Sequence, residues 1–489
     1  MRNKGKGTGH GSSTLGSVVW KFGERITAQV VSTVVTIILA RILSPEDYGI
    51  IAIVTIYITL CNAFVVGGLG NALIQKKDAD ELDFSSIFYV SLFLSAVIYL
   101  IMFFAAVPIA RYYRNDTLVW VIRVMSLRLP VAAANSVQQA YISRRMEFRK
   151  FFAATLIGTL ISAAVGITMA VSGYGVWALV AQYLTNVTID TIVLFIVGGW
   201  KPKLIFSMNR VISMLPFGMK LMGATLLDTA FNEARSIIIS TKYSNVDLAM
   251  YENGRKYPNL LVTNINASIS SVMFPVMSKE QHNVDSIKLT MKKSIKLSTY
   301  LLAPLLFGLL ACAQRFVSVV LTSKWDPCVP YIWITCIMCL FYPIHTINIQ
   351  ALNAVGESGK TLRLEVIKKI INVAVLIPTI FMGVIWIAIG ALCVSLLSTY
   401  INAFYSKRLF GYSFTEQIRD ILPTLCLSFV MAVLVLAVDQ IPGISPLLKL
   451  ILECAAGGVF YIVCSMIFRF ESYQVLVQKL GHFTRKFRK

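Results

Sequence analysis

Apolar residues run along this chain in blocks of about twenty, each closed by a turn signal or a cluster of charge. The first block sets the pattern. Lys21, Glu24 and Arg25 stand together, Ile26 to Leu43 then holds no charge before Arg41, and Ser44-Pro45 makes a turn with Glu46 and Asp47 behind it. At 1.5 Å per residue this run crosses the ~30 Å hydrocarbon core of a bilayer. Lys21, Arg25, Gln29, Ser32 and Thr36 recur at three- and four-residue spacing and share one helix face. A stripe of that kind turns toward a cavity or other helices, because lipid leaves it unsolvated.

Similar runs follow at 47–73, 84–108, 117–142, 151–172, 175–199, 211–241, 246–277, 290–313, 328–353, 362–384, 386–408, 420–439 and 446–468. With the first they predict an all-α polytopic membrane protein of about fourteen transmembrane helices. The segment between 313 and 328 predicts a short interfacial helix. Composition agrees. The chain is 56% hydrophobic, 14% charged and has a mean hydropathy of +0.71, whereas soluble domains carry about 25% charged residues. The first run is too long for a cleavable signal peptide. Of nine cysteines, eight lie inside apolar stretches and read as small buried hydrophobes. Cys336 and Cys339 lack the second pair that a zinc site needs, and His10, His282 and His482 lie in tails and a loop. No metal, cofactor or nucleophile–base pair is expected.

The net charge of +21 is topological. Placing the amino terminus in the cytoplasm assigns twenty-eight of the 45 basic residues to cytoplasmic segments and seven to outer ones. That excess predicts both termini inside. It removes nucleic acid as the reason for the basic balance.

Ten bases remain within or at the mouths of spans: Lys21, Arg25, Arg123, Arg128, Lys220, Arg235, Arg255, Lys256, Lys368 and Lys369. The acids there are Glu24, Asp190, Asp228, Glu233, Glu252, Glu365 and Glu453. Each costs ~2.5–3.5 kcal/mol at a helix centre on insertion scales, so partners or a wet cavity must compensate. The clearest stripe is Glu252, Lys256, Asn259, Thr263, Asn266 and Ser270, stepping by four and three. Arg128, Asn135 and Gln139 form another beside Pro130, and His345 with Asn348 a third. Internal ion pairs and helix–helix hydrogen bonds are the simpler reading of such groups. A hydrated cavity of positive bias, suited to an anionic substrate, is the functional one.

Two further patterns bear on organisation. Ser44 and Asp47 recur, 200 residues on, as Ser244 and Asp247. Gln139-Ala140 resembles Gln350-Ala351, and Ala178-Leu179 resembles Ala391-Leu392, so two half-chains of similar build are expected. Ala354 to Thr361, AVGESGKT, matches a relaxed phosphate-loop pattern. It joins two membrane spans and lacks the preceding strand that such a loop requires, so it reads as a glycine turn and no nucleotide partner is expected.

The opening WKFGERITAQ, the ARILSPEDYG turn, VVGGLGNALIQ at 65–75 and SGYGVWALV at 172–180 resemble Wzx-type polysaccharide flippases. These belong to the multidrug/oligosaccharidyl-lipid/polysaccharide (MOP) exporter superfamily, and the colanic and teichuronic acid exporter branch is the most similar. The resemblance implies two pseudo-symmetric six-helix bundles, at 15–205 and 206–412, two added helices at 413–470, and basic tails at 1–14 and 471–489. It implies a transporter that moves undecaprenyl-pyrophosphate-linked oligosaccharides from the inner to the outer leaflet of a bacterial inner membrane by alternating access. Exopolysaccharide, capsule or O-antigen synthesis would follow, with membrane lipids and glycan polymerase or export proteins as partners. On this reading Lys21, Arg25, Arg123, Arg128, Lys220, Arg235, Arg255 and Lys256 meet the diphosphate. Asn135, Gln139, Asn259, Asn266 and Asn348 meet the sugars, and Glu24, Asp228, Glu233 and Glu252 are candidate coupling acids. A cation-coupled multidrug exporter and a lipid II flippase share the fold. A membrane-embedded glycosyltransferase or polymerase is the rival of another class.

Overall fold

The structure, a computed structural model, describes residues 29–478 apart from 77, 146, 148, 281 and 282. Lys21, Glu24 and Arg25 therefore lie outside the described residues. Those described are helical or in short connections, with no strand. Eleven helical segments are long and apolar enough to cross a membrane. Large apolar side chains such as Phe93, Phe104, Ile196 and Val459 lie open on their surfaces, as a hydrocarbon solvent allows and water does not.

The chain divides into two compact units, Met1–Ala249 and Met250–Lys489. The first contains α1 (described over Gln29–Ile42), α2 (Pro45–Val66), α3 (Leu69–Gln75), α4 (Glu81–Tyr112), α5 (Thr117–Met125), α6 (Arg128–Arg144), α7 (Arg149–Val171), α8 (Val176–Gly198) and α9 (Met208–Lys242). The division falls inside α10 (Asn245–Lys279), beyond the 205/206 division read from the sequence, because α9 packs on α2, α3 and α4. The second unit continues with α11 (Val284–Phe316), α12 (Val329–Leu340), α13 (Tyr342–Ala354), α14 (Ser358–Thr379), α15 (Val384–Phe410), α16 (Phe414–Asp439) and α17 (Pro446–Ile467). α10 and α14 are absent from the eleven apolar segments. α10 carries the Glu252-to-Ser270 stripe, and α14 carries Lys360, Arg363, Glu365, Lys368 and Lys369.

The Ser44/Ser244 repeat is a repeat of geometry. Ser44 Oγ accepts from the Asp47 N–H at 3.1 Å, and the Asp47 carboxylate accepts from the Ser44 N–H at 3.1 Å and hydroxyl at 2.9 Å. At Ser244 and Asp247 the same three bonds measure 3.0, 3.1 and 2.7 Å. Each box satisfies the orphan donors at the start of its helix, α2 and α10, and sets an acid at the positive end of the helix dipole.

Three spans are broken, each for a local reason. α2 gives way to α3 at Gly67-Gly68, and the carbonyl of Gly218 on α9 lies where a Gly68 side chain would begin, so only glycine admits this crossing. α5 and α6 divide just before Pro130, and α12 and α13 just before Pro343. Proline is tolerated in a first helical turn and not in the middle of a span. Pro130 and Pro343 stand 213 residues apart, as do Ala178 and Ala391, so the halves correspond through α8 and α15 with a shifted offset.

Each unit has its own apolar core. In the first, Leu73, Phe84, Phe88, Val137, Trp200 and Met214 join α3, α4, α6 and α9. In the second, Met277, Ile287, Met291, Ile344, Ile347 and Phe410 do the same for α10, α11, α13 and α15. The segment between 313 and 328 is made of two short helical turns with one buried face. Val317–Leu321 is a wide turn, Thr322 takes a left-handed φ of 90°, and Trp325 and Cys328 in Ser323–Cys328 are fully buried. The tryptophan anchors the segment in the core, which periodicity alone does not reveal.

Candidate functional site

In the first unit α6 and α8 form a polar ladder. Its first rung is Arg128, whose guanidinium carbon lies 5.9 Å from the Tyr183 ring centroid. The Arg128 Nε is buried and makes no hydrogen bond among the described residues. No carboxylate among them pairs with it. Seven residues along each helix lies the second rung. Asn135 Nδ2 donates to Asp190 Oδ2 and to Thr191 Oγ1, both at 2.9 Å, and Gln139 Nε2 donates to Asn135 Oδ1 at 2.6 Å. Thus Arg128, Asn135 and Gln139, predicted from one stripe, share one surface.

The other bases of this unit are spread more widely. Arg123 on α5 donates through Nε to the Phe103 carbonyl at 3.2 Å and lies 4.1 Å from the Phe103 centroid and 5.3 Å from that of Trp120. Lys220 on α9 is exposed, and like Arg123 it faces no acid among the described residues. Asp228, also exposed on α9, accepts from Asn232 Nδ2 at 3.0 Å. Glu233 and Arg235 are half-buried on the same helix.

In the second unit the predicted residues are more often internally engaged. Arg255 Nη1 lies 3.4 Å from Glu252 Oε1, and its guanidinium 5.0 Å from the Tyr251 centroid. Lys256 is exposed on α10. Asn259 Oδ1 accepts from the Cys339 thiol at 3.7 Å. Asn266 is buried with its Nδ2 unsatisfied among the described residues. Asn348 is fully buried, and its amide is fully engaged. Nδ2 donates to the Ile344 carbonyl at 2.7 Å and to Gln417 Oε1 at 2.8 Å, while Oδ1 accepts from Gln417 Nε2 at 3.1 Å and from the Ser406 hydroxyl. His345 Nδ1 meets Asn402 Nδ2 at 2.7 Å. The structure therefore sets Asn348 among α13, α15 and α16, bonded to residues of those helices.

Several partners went unread in the sequence. Tyr183 and Thr191 sit on a long apolar span with no stripe of their own. Asn402 and Ser406, four apart on α15, were a usable signal. Gln417 sits in the first turn of α16, where its role looked like capping. The AVGESGKT segment is a helix–turn–helix junction: Gly356 has φ +81°, Lys360 Nζ lies 2.7 Å from Glu357 Oε1, and Thr361 Oγ1 donates to Asn353 Oδ1 at 3.0 Å.

Discontinuous spans, a repeated half-chain and polar groups set inside helices mark a multi-pass membrane protein of a build that many transporters share. The fold agrees: a lipid II flippase, MurJ, in an inward-closed conformation has a TM-score of 0.76 to this structure at 15% identity, covering 94% of this chain and 100% of that one. The chain belongs to the polysaccharide biosynthesis protein family, whose model matches residues 38–330. It is 26% identical over 288 residues to the succinoglycan biosynthesis transport protein ExoT of Rhizobium meliloti, spanning 59% of this chain and 58% of that relative. It is 22% identical over 413 residues to the lipopolysaccharide biosynthesis protein WzxC of Escherichia coli, spanning 81% and 83%.

Proposed function

We propose that this chain is a flippase for undecaprenyl-pyrophosphate-linked oligosaccharide repeat units. It carries them from the inner to the outer leaflet of a bacterial inner membrane by alternating access, for surface polysaccharide synthesis. The carrying observation is Arg128, a base within a span that faces Tyr183 and has no acid among the described residues. A guanidinium in that state is short of hydrogen-bond acceptors, and a diphosphate supplies them as paired oxygens. Lys220 and Arg123 add positive charge in the same unit. Asn135 and Gln139 offer amides to sugar hydroxyls, and the polyprenyl tail stays in lipid. The names of the succinoglycan and lipopolysaccharide relatives point to the same class of cargo.

In the proposed topology the eleven apolar segments with α1, α10 and α14 would make fourteen spans, an even number that sets both termini on one side, and the excess of basic residues favours the cytoplasm. Reporter fusions near residues 113, 242 and 441 should then report the outside, and those near 78, 203 and 282 the inside. Reversal at two or more sites would overturn this topology. The function itself is tested in liposomes holding the full chain and a lipid-linked oligosaccharide with labelled sugar. Protein-dependent arrival of the sugar at the opposite leaflet is expected. A folded protein that gives no transfer above empty liposomes would refute the proposal.

A further inference from the structure

Arg123 stands on the side of α5 that turns away from the core. Leu118, Val121, Ile122 and Met125 are the buried face of that helix. The other side carries Trp120, Arg123 and Leu127 at three- and four-residue spacing, and Trp120 and Leu127 are exposed. Arg123 reaches into the seam between α5 and α4, where Leu100, Ile101 and Phe104 are exposed as well. Apolar side chains as open as Phe104 at 70% and Trp120 at 60% face hydrocarbon, since a wet cavity would set them against water. The guanidinium is pinned in this seam. Nε donates to the Phe103 carbonyl at 3.2 Å, the group stacks 4.1 Å from the Phe103 centroid, and Phe104 packs edge-on against that ring at 5.7 Å. Nη1 and Nη2 remain as a fork with no acceptor among the described residues.

Depth decides which acceptor can reach that fork. α4 has 32 residues, about 48 Å of helix against a hydrocarbon core of about 30 Å, so about 9 Å overhangs at each end when the excess is shared. Phe103 is nine residues before Tyr112, about 13 Å along the helix. Its carbonyl therefore falls about 4 Å inside the hydrocarbon boundary, close to the headgroups. Arg111 and the exposed Tyr112 close this end of α4, as at a membrane–water interface. Acyl chains offer no acceptor, and the strong acceptors nearest that depth are lipid phosphate oxygens, toward which long basic side chains extend. The second unit shows the same seam without the charge. Trp333 stands 213 residues after Trp120, the offset that relates Pro130 to Pro343, and it too is exposed. There the indole Nε1 donates to the Leu310 carbonyl of α11 at 3.1 Å. The residue 213 beyond Arg123 is Cys336, which is fully buried. Joining the two helices of this seam therefore does not require an arginine.

We infer that the α4–α5 seam is a lipid-phosphate site, in which the Arg123 fork takes two oxygens of one phosphate group while the lipid chain lies along Phe104, Leu100 and Trp120. The phosphate comes from a phospholipid headgroup or from the diphosphate of a polyprenyl carrier, and both present the same oxygens to the fork. The carrier as source, and the outer leaflet as the place, rest on the flippase reading and its topology; the phosphate site does not.

Photo-crosslinking tests this on the full chain in detergent, with benzoylphenylalanine in place of Phe104. One labelled lipid is added at a time: phosphatidylglycerol, undecaprenyl diphosphate, or diacylglycerol, which has no phosphate. Adduct with at least one phosphate lipid should fall about tenfold in Arg123→Ala and Arg123→Gln, and by less in Arg123→Lys, which keeps the charge. Arg123→Gln retains a donor for the Phe103 carbonyl, so with unchanged thermal unfolding its loss reads the fork and not the fold. Diacylglycerol adduct should be equal in all of them, and Arg111→Ala should behave as the parent. A fall with phosphatidylglycerol makes phospholipid a source, and a fall with undecaprenyl diphosphate alone makes it the carrier. Phosphate-lipid adducts as strong in Arg123→Gln as in the parent, an equal fall in Arg111→Ala, or an equal fall with diacylglycerol would each overturn the inference. Oligosaccharide transfer in liposomes separates the two readings. An Arg123-dependent adduct in a protein that moves no oligosaccharide would leave the site and refute the flippase, and transfer with an Arg123-independent adduct would do the reverse.

Discussion

The two units differ in how they treat the bases singled out within their spans, although the first also pairs Arg210 and Lys76 with the buried Asp83 at a span end. In the first, Arg123, Arg128 and Lys220 face aromatic rings, a carbonyl or open space, and no acid among the described residues pairs with them. In the second, Arg255, Lys368 and Arg315 are each set against a glutamate, at 3.4 Å, at 2.5 Å and in close contact respectively. A base already neutralised by its own chain gains little from an anionic ligand, since the ligand must displace the partner. An unpaired base in a span gains much. On the proposed function, anion recognition would then belong to the first unit and structural cohesion to the charges of the second.

The largest expected effect is on the stability of the second unit. Arg315 ends α11 and Glu453 lies within α17 at 3% exposure, so their contact joins the appended helix pair to the bundle. Arg315→Ala leaves a buried carboxylate unpaired and should cost about 3–5 kcal/mol. Thermal unfolding in detergent and membrane protein level would both fall. Replacing both partners, Arg315→Met with Glu453→Leu, should restore most of the loss, because an apolar pair removes the desolvation problem. A single variant as stable as the natural protein would remove cohesion from the role of these charges.

Next comes Arg128. Arg128→Ala should lower glycan export, normalised to protein level, by about one to two decades, from charge-assisted hydrogen bonds worth roughly 1.5–3 kcal/mol. Arg128→Lys should keep part of the activity, since the charge survives while the planar fork does not. Arg255→Ala should cost much less, because its pair with Glu252 is partly exposed and worth roughly 0.3–0.5 kcal/mol. Equal losses at Arg128 and Arg255 would break the comparison.

The two boxes at Ser44 and Ser244 sharpen it from the other side. Here the units are alike, so Ser44→Ala and Ser244→Ala should each cost about 1 kcal/mol. A thermal shift present in one and absent in the other would show that the repeated geometry does unequal work.

How much of this was legible follows from which contacts are local. The helical membrane fold was, because a bilayer imposes length and apolarity on every span. The recurrence of Ser44 and Asp47 at Ser244 and Asp247 was, although as a repeat and a turn and not as helix caps. The α6 stripe of Arg128, Asn135 and Gln139 was also readable, as side chains of one helix face. The deeper repeat was hidden: the offset changes from 200 at Ser44 to 213 at Pro130, so Asn135 and Asn348 do not line up under one shift. Partners across helices, such as Gln417 for Asn348 or Tyr183 for Arg128, are set by packing and leave no mark in spacing. Arg123 was visible as a base within a span. Its place in a seam that faces lipid was not, since exposure is a property of neighbours.

The smallest effect is expected at Lys360, which tests the phosphate-loop resemblance of AVGESGKT. A lysine that clamps phosphate must extend from the start of a helix toward a cradle of backbone N–H groups, with a strand feeding the loop. Lys360 instead turns back one helical turn to Glu357 at 2.7 Å, in a junction fed by α13. Both side chains are about a third exposed, so water screens the pair and competes for each partner. Lys360→Ala should therefore change stability by no more than about 0.5 kcal/mol and leave export near the level of the natural protein. Export that collapses in this variant at full protein level, together with nucleotide binding that the substitution abolishes, would move the charged site of the second unit from cohesion to ligand recognition and overturn the contrast between the two units.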